Sequence, residues 1–576
     1  MERLGEVHVV NYGANMQLIR QNFPGAPFPE SWPDHPELAK AVQLIAAGQK
    51  DEAYAVCHRL VHDKKVEPFS RYLMALCALE CGEFMEAQAQ IERALLLNPQ
   101  NFAFLDLLAV IHDRAGRVEM ALDVLLELGN AFMRCHDLDR AMAVYRLIIA
   151  KDSQRMAAYA NLGLVMGLSG AYVEAAKSIF VAVLLVSRVH PSLPPLVRDL
   201  ERHIHFLAEA GAGILETSPT GVVNHVDEVL TSLGRVLSNL RMTEWATACH
   251  RMAIEIRPAS ALAHWNLALE LLLSGHYSEG WSEYEWRWLR EPTMNQRRRL
   301  PVPRWLGHRP LPKRIMVFAE QGFGDTLQFA PLVSQLAEQG VRVVFQVYPQ
   351  LVRLLAHNMN NEHVTVMSLP GHPDLMGTDE PVDSFVALMS LAHFMRLDSK
   401  TLPLQKNVLV PVDEDVVRWA QWLGPASRWR IGIAWSGNVN QTDNLARSLP
   451  KADLMRLLQV NGVEWISLQV GERNADFADC AGRNPVSQLQ DFADTAALIQ
   501  LVDMVITVDT AVAHLAAAMG KTVWVLLAFA SDWRWGIEGE ASNWYPSARL
   551  FRQKTIGGWD GVVGQVISEL NLLSMQ

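Results

Sequence analysis

The feature that most constrains this chain is a period. Gly48, Gly82 and Gly116 stand 34 residues apart, and Ala53, Ala87 and Ala121 repeat in the same phase. The strings AAGQKDEA, ECGEFMEA and RAGRVEMA each set the glycine ahead of the alanine at one fixed spacing. Small residues at recurring positions let two helices turn and approach closely. One such pair cannot bury its apolar face without neighbours, so the period demands a stack of helical hairpins.

The period continues in shifted frames. Ala141 and Ala175, in CHDLDRA and LSGAYVEA, are again 34 apart, as are Ala246 and Gly280 in NLRMTEWA and LLSGHYSEG. Gly82, Ala87, Ala94 and Pro99 in one unit, and Ala246, Ala253 and Pro258 in a later one, have the spacing of tetratricopeptide repeats, which residues 37–290 resemble. The resemblance implies an all-α solenoid with a face for an extended peptide or a partner helix. The phase slips between Gly116 and His136, and Pro191, Pro194 and Pro195 interrupt the array. The segment AGAGILETSPTG reads as a loop between two blocks. The expected order is an N-terminal extension (1–36), repeats (37–185), and an interrupted helical linker with further repeats (186–290).

A chain of 576 residues exceeds a single core. Half its residues are hydrophobic and a fifth are charged, as in folded domains rather than disorder. The net charge of -11 argues against a general nucleic-acid binder, which needs a basic surface. The start MERLGEVHVVNYGANMQ lacks the basic-then-apolar order of a signal peptide, and no apolar run is long enough to span a bilayer. The six cysteines (Cys57, Cys77, Cys81, Cys135, Cys249 and Cys480) have no histidine pair at zinc spacing and read as buried or neutral thiols. A cytoplasmic protein without a membrane span is expected.

After WSEYEWRW comes a basic connector (291–312) in which Arg297, Arg298 and Arg299 read as a solvated run. The pattern then changes. RIMVFA reads as a buried strand, GFGD as a tight turn, TLQFAPLVSQLAEQG as a helix ended by Gly340, and VRVVFQV as the next strand. A second series runs through RIGIAWSGN, EWISLQV, the helical DFADTAALIQLV, DMVITVD, the helical TAVAHLAAAMG and TVWVLLA. Two such series predict two Rossmann-like α/β lobes, 313–410 and 411–576, with ligands beyond the carboxyl ends of the strands.

Three strand ends carry candidate chemistry. Gly322-Phe323-Gly324-Asp325 offers close backbone approach and a helix start that can face an anion. It lacks the full Gly-x-Gly-x-x-Gly pattern and a following ribose-binding acid, which argues against a dinucleotide enzyme. Trp435-Ser436-Gly437-Asn438 can present donors to phosphate or sugar oxygens, and Arg447 a fixed charge for a departing phosphate. Asp509-Thr510 follows an apolar strand, with Thr510 at a helix start and His514 one turn on. Asp413-Glu414-Asp415 and Asp137-Leu138-Asp139 contain Asp-x-Asp, but the first reads as a helix start and the second lies inside the repeats.

GFGDTLQFAP, AWSGN, RSLP, VDTAVAHLAAAMGK and DWRW together resemble the catalytic half of heptosyltransferase-like glycosyltransferases, joined here to tetratricopeptide repeats. The resemblance implies a GT-B fold and metal-independent, inverting transfer from a nucleotide-activated sugar, with no cofactor. Asp325 matches the family's general base; Gly322 and Gly324, which precede it, are expected to bind the donor. Asp509, Thr510 and His514 match its donor-binding motif. Arg447 falls near its phosphate-binding position, and Trp435, Ser436, Gly437, Asn438 and Gln469 are expected around the donor. Ala511 stands where many heptosyltransferases have glycine, and the first lobe is short; both count against heptose. The expected function is O-glycosylation of Ser or Thr on a protein recruited by the repeats. Flagellin with a nonulosonic acid donor is the nearest pairing the resemblance offers. Transfer to a lipid-linked envelope saccharide and an inactive scaffold are the alternatives.

Overall fold

The computed structural model describes residues 32–211, 225–290, 299–372, 376–377, 381–403, 408–437, 444–478, 480 and 482–573. The chain divides into two compact units, Met1–Val236 and Leu237–Gln576, with the helix Val226–Asn239 running across the division.

The first unit is the expected array of helical pairs, among them Lys50–Leu60, Glu67–Glu80, Phe84–Leu97 and Phe102–Arg114. The periodic glycines occupy the turns: Gly48, Gly82 and Gly116 have φ of 77°, 77° and 73°, a region that a Cβ disfavours. Ala53, Ala87 and Ala121 are buried where the next helix passes. The phase slip has a simple cause. The 17-residue helix Val118–Arg134 packs against both Phe102–Arg114 before it and Leu138–Lys151 after it. It closes one pair and opens the next, so Ala121 and Ala141 are 20 residues apart, short of a full period by about one helix.

Pro194 and Pro195 do not break the array. They sit in the first turn of the helix Leu193–His203, where a missing N–H costs nothing. Most of the expected loop AGAGILETSPTG lies outside the described residues, as do positions 1–31 and Arg297 and Arg298. The six cysteines are free thiols; Cys57, Cys77 and Cys249 are buried, and burial pushes the Cys249 thiol up to about 12. Among the described residues no helix is long and apolar enough to cross a membrane.

The second unit holds two parallel sheets. The first contains β1 (Arg314–Phe318), β2 (Arg342–Val347), β3 (Val364–Ser368) and β4 (Ser384–Ala387) in the order β3-β2-β1-β4. The second contains β5 (Trp429–Ala434), β6 (Val463–Ser467), β7 (Met504–Val508), β8 (Val523–Leu527) and β9 (Ala548–Arg552) in the order β6-β5-β7-β8-β9. β7 and β8 are buried along their whole length, as strands covered on both faces must be, which explains their unbroken apolar runs. β3, β4 and β9 are additional to the expected strands.

The expected boundary at residue 290 does not separate repeats from sheets. Helices Thr243–Ile256, Ala261–Leu273 and Tyr277–Tyr284 belong to the second unit. Trp281 stands edge-on to Phe329 and Trp533, with ring centroids 5.6 and 5.3 Å away. Arg287, fully buried, ion-pairs with Glu320 at 2.7 Å just beyond β1. The last repeat pair needs an apolar neighbour, and the α/β half supplies it.

Candidate functional site

The site is built where β1, β5, β7 and β8 end. Beyond β1 the chain turns through Gln321, which has φ of +63°, and enters the helix Phe323–Glu338 with Gly322 as N-cap. The Gly322 N–H donates to Asp325 Oδ2 at 2.8 Å, so the carboxylate bends back over the first turn of its own helix. Its other oxygen, Oδ1, accepts from Arg534 Nη2.

Arg534 lies in the short turn Trp533–Trp535 after β8, capped by Asp532. Its Nη1 donates to Asp532 Oδ1 at 2.7 Å and its Nε to Gln328 Oε1 at 2.9 Å; the guanidinium lies 4.2 Å from the Trp533 ring. Burial opposes its charge, but Asp325 and Asp532 outweigh that and hold it above the ordinary arginine range. One arginine thus joins a carboxylate on the first sheet's helix to one on the second sheet's loop.

Beyond β7, Thr510 is the N-cap of the helix Ala511–Ala518, as expected, and its hydroxyl meets that of Thr507 at 3.0 Å. His514, one turn in, hydrogen-bonds through Nδ1 to the Tyr545 hydroxyl at 2.9 Å and stacks on Trp535. Burial and then Arg534 push its imidazolium down to about 3, so the ring is neutral. Its Nε2 is 4.0 Å from Asp509 Oδ1. Burial, reinforced by Asp532, pushes the Asp509 carboxyl up. A Cβ on Gly324 would meet His514 Cδ2 at 2.7 Å, so glycine there lets the two helix starts meet. The first and third expected strand ends therefore converge.

The second strand end is only partly there. Arg447 reaches the cluster, with Nη1 3.9 Å from Asp509 Oδ2. Its Nε is buried without a hydrogen-bond partner among the described residues. A Cβ on Gly437 would meet Arg447 Nη2 at 2.8 Å, so that glycine makes room for the guanidinium. Trp435, expected around the donor, points into the packing beneath the strand end. It is fully buried in the core and stacks on Phe477 at 5.7 Å. The Gln469 Oε1 accepts from the N–H groups of Trp435 at 3.0 Å and Ser436 at 2.8 Å. The Ser436 hydroxyl meets that of Ser448 at 3.0 Å. These three brace the loop after β5. Asn438 lies outside the described residues. Of the Asp-x-Asp strings, Asp137 caps the helix Leu138–Lys151, and Asp415 ion-pairs with Arg418 at 2.8 Å and Arg353 at 3.1 Å.

Arg534, Asp532, Gln328, Tyr545 and Trp535 complete the cluster. The string DWRW holds three of them, yet the sequence names no partner for its arginine, because Asp325 lies 209 residues away.

Residues 486–543 match the family model described as glycosyltransferase family 9 (heptosyltransferase). The matched stretch contains Asp509, Thr510, His514, Asp532 and Arg534. The chain is 26% identical to Protein FlbA of Caulobacter vibrioides over 334 residues, 54% of this chain. That covers 55% of FlbA, so the chain spans about half the length of the curated relative it matches. E. coli ADP-heptose LPS heptosyltransferase II is a similar solved structure: 15% identity, 46% of this chain, 99% of that one, TM-score 0.34. A thermophilic TPR protein in Thermus thermophilus is another: 18% identity, 41% and 97% covered, TM-score 0.17. The family-model match falls within the second unit, on the segment that contains β7 and β8.

Proposed function

We propose that this chain is an inverting GT-B glycosyltransferase that O-glycosylates Ser or Thr of a protein acceptor. On this reading the two parallel sheets are the two lobes, and the repeats recruit the acceptor. The observation that carries it is the convergence of Asp325 with Arg534, Asp509 and His514, from the ends of three strands, with the last three of these inside the family-matched stretch.

In the proposed reaction Asp325 takes the proton of the acceptor hydroxyl as its oxygen bonds to the anomeric carbon. The bond from that carbon to the donor's phosphate oxygen breaks, and the electron pair leaves with the nucleotide. Arg447 and the helix start at Thr510 stabilise the departing phosphate, so no divalent metal is required. His514, held neutral, serves as a hydrogen-bonding wall rather than as an acid. Flagellin as acceptor and a nonulosonic acid as donor sugar follow from the resemblance stated above.

The test is intact-mass spectrometry of proteins that co-purify with the chain, flagellin above all, from cells with wild-type protein or Asp325→Ala. A sugar-sized mass absent only with the variant is the expected result. Acceptors that bind both proteins and never change mass would defeat the proposal.

A further inference from the structure

The last repeat helix, Tyr277–Tyr284, reaches the turn that carries Asp325. The Tyr284 hydroxyl, deeply buried, accepts from Gln321 Nε2 at 2.6 Å. The Gln321 carbonyl accepts from the Tyr348 hydroxyl at 2.6 Å. Gln321 is therefore held by its side chain and by its carbonyl, in a left-handed conformation (φ +63°) that a residue with a Cβ adopts at a cost.

The peptide joining Gln321 to Gly322 is planar, so fixing its carbonyl fixes the opposite N–H. That N–H is the one donating to Asp325 Oδ2. A continuous path thus runs from a repeat-helix hydroxyl, through a strained turn, to the carboxylate. The same helix braces the other partner of the ion pair, since Trp281 packs edge-on to Trp533, the neighbour of Arg534.

We infer that Tyr284 is a positioning residue for Asp325, so that the terminal repeat is a working part of the transfer site as well as a scaffold. This rests on the proposed reading of Asp325 as the base. The geometric part stands independently of it.

Tyr284→Phe removes the hydroxyl and keeps the ring, which packs against Trp281 and the Arg287 guanidinium. Tyr277→Phe, at the start of the same helix and facing Trp544, is the control. In the full-length chain, hydrogen–deuterium exchange of the segment 320–327 should quicken about tenfold in Tyr284→Phe and stay unchanged in Tyr277→Phe. With a CMP-linked nonulosonic acid and purified flagellin as probes, kcat should fall about tenfold with donor KM almost unmoved. Gln321→Leu should lose as much as the double variant, because both cut the same path. Unchanged exchange in Tyr284→Phe, or equal quickening in Tyr277→Phe, overturns the inference. If wild-type protein transfers nothing from these probes, the functional reading fails for them, and the exchange result still decides the positioning role.

Discussion

His514 is enclosed by Tyr545, Trp535 and Gly324, and burial together with Arg534 holds its pKa at about 3. A histidine in the unfolded chain titrates near ~6.5. Between those values the unfolded state binds the extra proton, so this group's contribution to stability is complete above the unfolded pKa and is lost as pH falls toward the folded one. From about pH 7 to about pH 5 the loss is about 2 kcal/mol. Asp509 acts in the opposite sense, since a raised carboxyl gains stability on acidification, but it is common to wild type and variant. Denaturant unfolding at both pH values should show wild type losing about 2 kcal/mol more than His514→Gln. Equal losses would mean that the ring is solvated and protonates freely. A strand-end motif announces such a histidine, because chain order alone sets the helix start and the turn beyond it. The direction of a side chain is another matter. Trp435 and Gln469 also follow strands, yet one fills the core and the other clasps backbone N–H groups, choices made by the far wall of the packing.

At the scale of elements, glycine has two different uses in helices here. Gly163, in the helix Met156–Leu168, lies under Ile179: a Cβ would meet Ile179 Cγ1 at 2.4 Å and the Ala175 carbonyl oxygen at 2.8 Å. Alanine favours a helix over glycine by about 1 kcal/mol, but overpacking against a fixed backbone costs about 1–3 kcal/mol, so Gly163→Ala should destabilise by up to about 2 kcal/mol. Gly564, in the helix Trp559–Leu573, has nothing within 4 Å of that position. Gly564→Ala should stabilise by about 0.5–1 kcal/mol. Urea denaturation of the two variants separates the effects, and like signs would refute the close approach at Gly163. The repeat itself was readable because its signals are local: a left-handed turn glycine, then a buried alanine. The phase slip could be located and not explained, since one long helix serving two pairings leaves each local string intact.

At the scale of the whole molecule, the division lies where packing places it rather than where the pattern changes. The switch from helical to strand period near residue 313 suggests that the α/β half begins there. The structure instead attaches Trp281, Tyr284 and Arg287 to that half, against Phe329, Trp533 and Glu320. Periodicity reports what each segment forms, and it is silent on which neighbour covers an apolar face at the end of an array. A fragment starting at residue 313 would uncover that aromatic cluster and leave the carboxylate of Glu320, 4% exposed, without its arginine. Removing one partner of a buried ion pair alone costs about 3–5 kcal/mol, a large share of a domain's stability. A fragment starting at residue 226, at the head of the helix Val226–Asn239, keeps the cluster and the pair. Thermal unfolding followed by circular dichroism should show one cooperative transition for 226–576, and for 313–576 either a far lower midpoint or none. Equal midpoints would mean that the last repeats merely rest against the sheets. The path from Tyr284 to Asp325 would then have no rigid foundation, because an element that can be removed without loss cannot hold a carboxylate in place.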